Sequence, residues 1–513
     1  MSKSLNSLIR LVRIARTLAR HDALFPLEQA GAPPWALWLL RRLARNQGKG
    51  RPGERLAAAL IDLGPSFIKF GQSLAVRSDL IGDDIADDLS ALHADMPPFP
   101  AATAIATIER ELETDLSKVF QSFDETPVAA ASIAQVHFAV TTDGDEVAVK
   151  VLRPGIEAQF DRDLELFEWL ARTAERTLPD LRRLRPIDAV RIFADSVANE
   201  LDMRLEAAAA SELADNAAND PGFRVPGVDW QRTTRRVLTL ERVDGIPIGD
   251  IEQLQAAGLD VRDILANSAR AFFQQVFEHG FFHADMHPGN MFVGADGTLL
   301  PVDFGIMGRL DRPTRHYLAD MLFGFLQGDY GRVADVHFDA GYVPRGESRD
   351  SFMQACRSIG EPILRLPLHE ISVARLLAQL FEVTARFNME TQPQLLLLQK
   401  TMLVAEGVGR KLDPDTNMWV VAQPLIEAWM IENRGPEARL RQAAGDLADI
   451  ANGIPALARM ASRLSETVTE DGFKLHPDTV AALRGENEAG WRPSGRMMVI
   501  AALAIGVLIG SLF

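Results

Sequence analysis

Residues 283–305 read HADMHPGNMFVGADGTLLPVDFG. Asp285 and Asn290 stand five residues apart, a short strand–turn–strand with an Asp296-Gly297 hairpin signal follows, and Asp303-Phe304-Gly305 closes the run. Two carboxylates and an amide at the ends of adjacent strands supply the hard oxygen ligands that a magnesium-bound nucleotide requires. The order and spacing are those of a phosphoryl-transfer loop, in which one Asp faces the nucleophile while an Asn and a second Asp hold metal. A lone DFG is weak evidence; the ordered set is strong.

Working outward, Val147-Ala148-Val149-Lys150-Val151 alternates as a buried strand carrying one cation, the form of the kinase strand whose lysine grips the α- and β-phosphates. The chain has only eight lysines and uses arginine as its default cation. A lysine kept on an apolar strand therefore points to a site needing a compact ammonium rather than a planar fork. Ala129-Ala130-Ala131-Ser132-Ile133-Ala134-Gln135-Val136 precedes that strand, where a kinase carries its glycine-rich loop. Alanine resists positive φ, so Ala130, Ala131 and Ser132 are expected to form a stiffer nucleotide loop. The fold class expected is α+β, a helix-rich, two-lobed protein-kinase-like fold.

The alanine-rich loop, Lys69-Phe70-Gly71-Gln72, the run Glu200-Leu201-Asp202-Met203-Arg204-Leu205-Glu206 and HADMHPGN together resemble the UbiB family of atypical kinases, the aarF-domain proteins. The resemblance covers Leu56 to Leu310 best. It implies ATP and Mg2+ as cofactors and an association with ubiquinone (coenzyme Q) biosynthesis. Lys69, Gly71 and Gln72 match the family's KxGQ element, Glu200 and Asp202 its ExD, and Glu206 the glutamate that pairs with the strand lysine. In the family the KxGQ helix is thought to fold over the place where a protein substrate would dock, which implies limited phosphorylation of proteins in trans. Implied partners are membrane lipids, polyprenyl-phenol or quinone precursors and ubiquinone-biosynthesis proteins; a homo-oligomer stays open.

Read as residues, Asp202 and Glu206 on one helix share a face one turn apart, with Glu200 pointing away. One carboxylate is expected on Lys150 and another on the metal or Lys69, the assignment being left open. The Lys150–Glu206 gap is long for a protein kinase, and Ile156, Phe160, Leu164, Phe167 and Leu170 at helical spacing read as an inserted helical hairpin broken near Pro179 and Pro186. Arg236–Val243 reads as a strand entering a hinge at Glu241 and Gly245, which places Glu241 with the nucleotide-binding residues. Ala284 replaces the arginine that commonly reads a phosphorylated activation loop, and His287 stands where protein kinases often have lysine. Both favour a small-molecule kinase or ATPase over a phosphorylation-switched protein kinase.

The single cysteine, Cys356, excludes an internal disulfide and a cysteine-based zinc site. The net charge of −16 hides an asymmetry: residues 1–55 carry eleven Lys/Arg against three acids. An acidic body argues against nucleic acid as a partner, and a basic start argues for an anionic membrane surface. Arg10, Arg13, Arg16 and Arg20 fall on one side of a first helix, with Leu8, Leu11, Val12, Ala15, Leu18 and Ala19 on the other. At the far end, Met497–Phe513 is uncharged and long enough, at about 1.5 Å per residue, to reach the lower limit for a bilayer span. With Arg492 and Arg496 before it, a single C-terminal span would keep the body on the cytoplasmic face of a bacterial inner membrane, the mitochondrial inner membrane being the alternative.

The expected organisation is a basic membrane-associating region (1–55), a KxGQ helical extension (56–120), a kinase-like N-lobe with a helical insert (121–245), a C-lobe (246–430), a helical region and tether (431–496) and a transmembrane helix (497–513). Asp285 and Lys150 are the expected catalytic residues, with Asn290 and Asp303 on the metal. The function expected is a membrane-anchored atypical kinase/ATPase that supports ubiquinone biosynthesis through lipid precursors or the biosynthetic assembly; a small-molecule or protein kinase, or a nucleotide-binding scaffold, is the alternative.

Overall fold

The computed structural model describes residues 2–25, 50–75, 81–90, 92, 96–177, 186–364, 383–384, 386–389, 393–413, 418–434, 468–469 and 472–473. Pro424–Gly495 form a unit separate from the body of the chain; its described part holds the end of one helix and two short antiparallel strands, Val468–Thr469 and Gly472–Phe473.

In the body, helices α1 (Ser2–Arg20), α2 (Pro52–Leu63), α3 (Pro65–Ala75) and α4 (Asp83–Ser90) lead to α5 (Ala101–Leu112) and then to an antiparallel sheet. That sheet is built from β1 (Phe120–Phe123), β2 (Ala129–Ala130), β3 (Ala134–Thr141), β4 (Glu146–Leu152) and β5 (Val237–Glu241) in the order β1-β3-β4-β5, with β2 on β3. Strand β4 is central, pairing Lys150 with Val136 on one side and with Leu238 on the other. Its pleat sends Val147, Val149 and Val151 into a core shared with Ala104 and Ile108 of α5, and Lys150 to the opposite face.

Between β4 and β5 run α6 (Ile156–Thr177), α7 (Pro186–Glu200) and α8 (Met203–Asn216). The first two are the hairpin predicted by the helical spacing, and Pro186 opens α7, where a missing N–H costs nothing. Their apolar stripes meet α2 and α3: Phe167 packs edge-on to Phe67 at 5.4 Å and against Phe70 at 5.3 Å. Each fully buried Leu or Phe in this layer contributes roughly 1.5–3 kcal/mol.

Helix α1 belongs to the same layer, which corrects the membrane-surface expectation for its apolar face. Leu11, Ile14, Leu18 and Ala19 are buried in one cluster with Leu56, Leu60, Phe67, Phe70 and Leu170. Val12 of the named stripe is largely exposed, and Arg10 turns inward to Asp163 of α6. Leu11, Leu18 and Ala19 of this stripe therefore meet the protein's own helices.

After β5 come β6 (Ile246–Pro247), α9 (Val261–Phe273), a π-turn (Gln274–His279), β7 (Phe281–His283), β8 (Met291–Val293), β9 (Leu299–Pro301) and β10 (Met307–Arg309). β8 and β9 form the hairpin expected around Asp296-Gly297; Gly297 takes φ +82 and the Asp296 carboxylate accepts the Thr298 N–H at 3.0 Å. β7 pairs with β10. Helices α10 (Arg312–Gln327), α11 (Tyr330–Asp339), α12 (Arg349–Leu364), α13 (Pro393–Leu412) and α14 (Met418–Arg434) follow. Tyr330, Phe352, Cys356 and Phe387 share a core there, and burial pushes the Cys356 thiol up to about 12. Cys356 is thus an inert apolar filler.

Among the described residues no helix is long and apolar enough to cross a membrane. The expected span (497–513) and the tether before it lie outside the described residues.

Candidate active site

Two antiparallel pairings assemble the site. The β7–β10 ladder places Met307 opposite His283, and the Ala284 N–H donates to the Ile306 carbonyl at 3.0 Å, so the start of the HAD loop lies beside the end of DFG. The Val302 N–H donates to the Asn290 carbonyl at 3.1 Å, tying the approach to DFG to the far end of the loop. Asp285, Asn290 and Asp303 therefore converge through backbone geometry.

His283 is fully buried and both ring nitrogens are engaged. Nε2 donates to the Asp303 carbonyl, and Nδ1 accepts the Asp285 N–H at 3.2 Å. Burial holds this imidazole below its ordinary pKa, so it stays neutral and braces the two aspartates' backbones. The π-turn adds Gln275, whose Oε1 accepts the His283 N–H at 3.0 Å.

Asn290 donates through Nδ2 to the Asp285 carbonyl at 3.2 Å and to Asp285 Oδ2 at 2.9 Å. With the nitrogen committed, the amide oxygen is the atom of Asn290 with metal-ligating capacity. Lys150 Nζ lies 2.7 Å from Glu206 Oε1 of α8 and 3.3 Å from Asp303 Oδ1. The backbone N–H of Phe304 also donates to Glu206 at 3.3 Å, so one glutamate aligns both the strand lysine and the DFG segment.

The electrostatics follow. Burial disfavours the charged Lys150, but the facing carboxylates of Asp303 and Glu206 outweigh it and hold the ammonium above its ordinary value. Burial raises Glu206, with Lys150 opposing. For Asp303 burial also works against ionisation, yet Lys150, the Gly305 N–H at 3.0 Å and the charge of Lys69 hold it well below the usual carboxylate range. Protein surrounds Asp303 closely, but 44% of its side-chain surface remains accessible, so this carboxylate is charged and reachable. Among the described residues no three His, Cys, Asp or Glu gather into an all-protein metal cage. One open carboxylate with one amide oxygen fits instead a magnesium ion that completes its shell with phosphate oxygens and water.

The acids of the ExD run do not lie on one helix, which corrects that premise. α7 ends at Glu200, and Asp202 caps α8 by accepting the Arg204 N–H at 3.2 Å. Glu200 pairs with Lys69 of α3, whereas Asp202 turns to the Arg204 guanidinium at 2.6 Å. Gly71 leaves room for its neighbours: a Cβ there would come within 2.5 Å of the end of the Leu92 side chain and 2.6 Å of that of Leu60, and both would have to shift. Gln72 donates to the Leu92 carbonyl at 2.8 Å.

The alanine loop is anchored. Ala129 and Ala130 pair with Val136 and Gln135, the Ala131 N–H donates to the Ala134 carbonyl at 2.8 Å, and Ser132 is buried. Arg153 holds it from outside, Nε and Nη2 donating to the Ala131 carbonyl at 3.0 and 2.9 Å. Glu241 departs from its expected role: its carboxylate is committed to Arg224 at 2.8 Å and to the Gly227 N–H at 3.1 Å.

Sequence reasoning missed two contributions from α13. Lys400 Nζ lies 3.7 Å from Asp285 Oδ1, and the Thr401 hydroxyl reaches the Ala284 carbonyl at 3.1 Å. Lys400 being one of eight lysines was the available signal.

Comparison with known proteins agrees with this architecture. Residues 91–337 match the ABC1 atypical kinase-like domain, and 356–417 the UbiB helical domain. The chain is 38% identical to "Probable protein kinase UbiB" of Marinobacter nauticus, over 98% of this chain and 93% of that one. It is 42% identical to the protein of that name from Pseudomonas fluorescens, over 90% of this chain and 87% of that one. A solved Mycobacterium tuberculosis structure, "The complex structure of Rv3197-erythromycin", is 26% identical over 69% of this chain and 90% of its own, at a TM-score of 0.49. With a kinase-like domain and a helical domain matched in sequence order, and relatives alike along nearly the whole length, the chain belongs to the UbiB family of atypical kinase-like proteins.

Proposed function

We propose that the chain is an atypical kinase/ATPase that binds Mg-ATP and supports ubiquinone biosynthesis by ATP-dependent handling of lipid precursors or of the biosynthetic assembly. The observation that carries this reading is Lys150 poised between Glu206 and an accessible, ionised Asp303. Bound magnesium would neutralise charge on the phosphates. Asp303 and Asn290 would hold it, and Lys150 would hold the phosphates beside it. Asp285, oriented by Asn290, would align or deprotonate the attacking group. Neutral His283 keeps the two loops in register and exchanges no proton.

The Lys69–Glu200 pair supports the restriction on protein substrates. It brings α3 close enough for Lys69 to depress Asp303, so the helix lies near the cleft. A small phenolic precursor or water is then favoured as acceptor over a protein. Membership of the UbiB family supports the ubiquinone assignment, and the bacterial origin of the relatives favours the inner membrane's cytoplasmic face. Anchoring there rests on residues 497–513.

Purified protein is incubated with labelled Mg-ATP, with and without anionic vesicles and a phenolic ubiquinone precursor, and the phosphate is tracked. Label in free phosphate supports the ATPase form. Label on the precursor supports a small-molecule kinase, the reading that His287 in place of lysine favours. No turnover in any combination overturns the enzyme and leaves a nucleotide-binding scaffold.

A further inference from the structure

Asp285 offers two carboxylate oxygens to its surroundings. Oδ2 accepts from Asn290 at 2.9 Å, a partner on its own loop. Oδ1 faces Lys400, which arrives from α13, 115 positions further along the chain. The loop position where protein kinases often place a lysine holds His287, whose ring is turned back to accept the Gly289 N–H at 3.2 Å and cap the short turn Pro288–Asn290. The loop itself therefore supplies no ammonium to Asp285.

The seating of Lys400 is specific. Thr401, the next residue, is fully buried, and its hydroxyl lies within reach of the Ala284 carbonyl at 3.1 Å and of the Leu397 carbonyl one turn back at 2.9 Å. That contact pins the turn of α13 carrying Lys400 to the residue preceding Asp285. Lys400 and Asp285 are 23% and 15% exposed in their side chains, so their attraction is only partly screened by water. At 3.7 Å the pair is in ionic contact but too long for a hydrogen bond, which leaves Oδ1 able to accept from an incoming hydroxyl.

We propose that Lys400 is the positioning residue for Asp285, supplied by the helical domain in place of a catalytic-loop lysine. It fixes the carboxylate's rotamer from the side opposite Asn290, so that Oδ1 faces the attacking group. The proposal rests on the phosphoryl-transfer reading above. It makes α13 part of the catalytic apparatus, and the alignment of Asp285 depends on how that helix docks.

The test compares Lys400→Met, Lys400→Gln, Lys400→Arg and Thr401→Val with the parent full-length chain in the labelled-phosphate assay, with Mg-ATP binding measured by calorimetry and folding by thermal melting. Lys400→Met and Lys400→Gln should each lower kcat about 100-fold, the scale of losing one preorganised electrostatic partner, with Mg-ATP affinity within about threefold of the parent. Lys400→Arg should restore at least a tenth of kcat, because it returns the charge. Thr401→Val should lower the melting temperature with a smaller loss of kcat. If a folded Lys400→Gln keeps the parental kcat, or if Thr401→Val costs as much kcat as Lys400→Met, Lys400 acts only through helix docking and the inference falls. Asp285→Asn separates this failure from that of the broader reading: a parent without turnover, or an Asp285→Asn chain as active as the parent, overturns both.

Discussion

In the helical layer, Arg10 reaches Asp163, whose side chain has no exposed surface; in the cleft, Lys150 sits between Glu206 and Asp303. Each is a cation on a carboxylate within protein, yet the carboxylates shift in opposite directions. Burial raises Asp163 above its ordinary value, and Arg10, itself partly exposed, compensates only in part. Asp303 is driven down despite burial because Lys150, a backbone N–H and Lys69 all face it. One pair joins two helices; the other keeps a negative charge ready in an open cleft. Their linkage to pH differs in sign. Stability from Asp163 is present below its unfolded pKa and is lost as pH rises through the raised folded value. The contribution of Asp303 is present above about 3.9, the unfolded value, and is lost as pH falls through the depressed one.

The largest expected effect breaks the comparison on the cleft side. Asp303→Asn should weaken Mg-ATP binding about 100-fold or more, because an amide lacks the charge that magnesium prefers, while binding without magnesium changes little. Calorimetry with and without the metal measures this. Equal Mg-ATP affinity in a folded variant would make Asp303 as structural as Asp163.

On the helical side, Arg10→Met strands a buried carboxylate and should cost roughly 2–4 kcal/mol, less than a fully buried pair because Arg10 keeps contact with water. Mg-ATP affinity should stay at the parental value. The deficit should narrow on acidification, as Asp163 takes up a proton in the folded state. Melting curves across pH check the sign; a deficit that widens in acid would mean that Asp163 is not the group exposed.

The smallest effect concerns the alanine loop. Ala131→Gly should change ATP affinity by only about two- to fivefold, corresponding to the roughly 0.5–1 kcal/mol of backbone freedom that glycine adds, because Arg153 still holds the Ala131 carbonyl. A titration indistinguishable from the parent would place the nucleotide away from this turn.

The fold was legible wherever chemistry imposed spacing. HADMHPGN to DFG is local, so the hairpin and its flanking acids could be read directly, and β4 declared itself by alternation around Lys150. Less legible was whatever depended on distant packing. The amphipathic pattern of α1 is the same whether its apolar face meets lipid or neighbouring helices, and only the stripes of α2, α3 and α6 decide it. The break at Leu201 followed from Asp202 acting as a cap, a role indistinguishable in sequence from that of a helical acid. Glu241 was misplaced because Arg224, its partner, lies 17 residues away across a loop. Lys400 lay beyond the reach of motif spacing altogether.

Strand β4 also protects the accuracy of folding. Lys150 alternates with Val149 and Val151, both of them fully buried. A slip of one residue against β3 or β5 would drive the ammonium into the valine core and turn the valines toward the cleft, costing several kcal/mol in each direction. A chain with a misaligned lysine therefore cannot persist as a folded but inactive protein; the error that would disarm the site also dissolves the sheet around it.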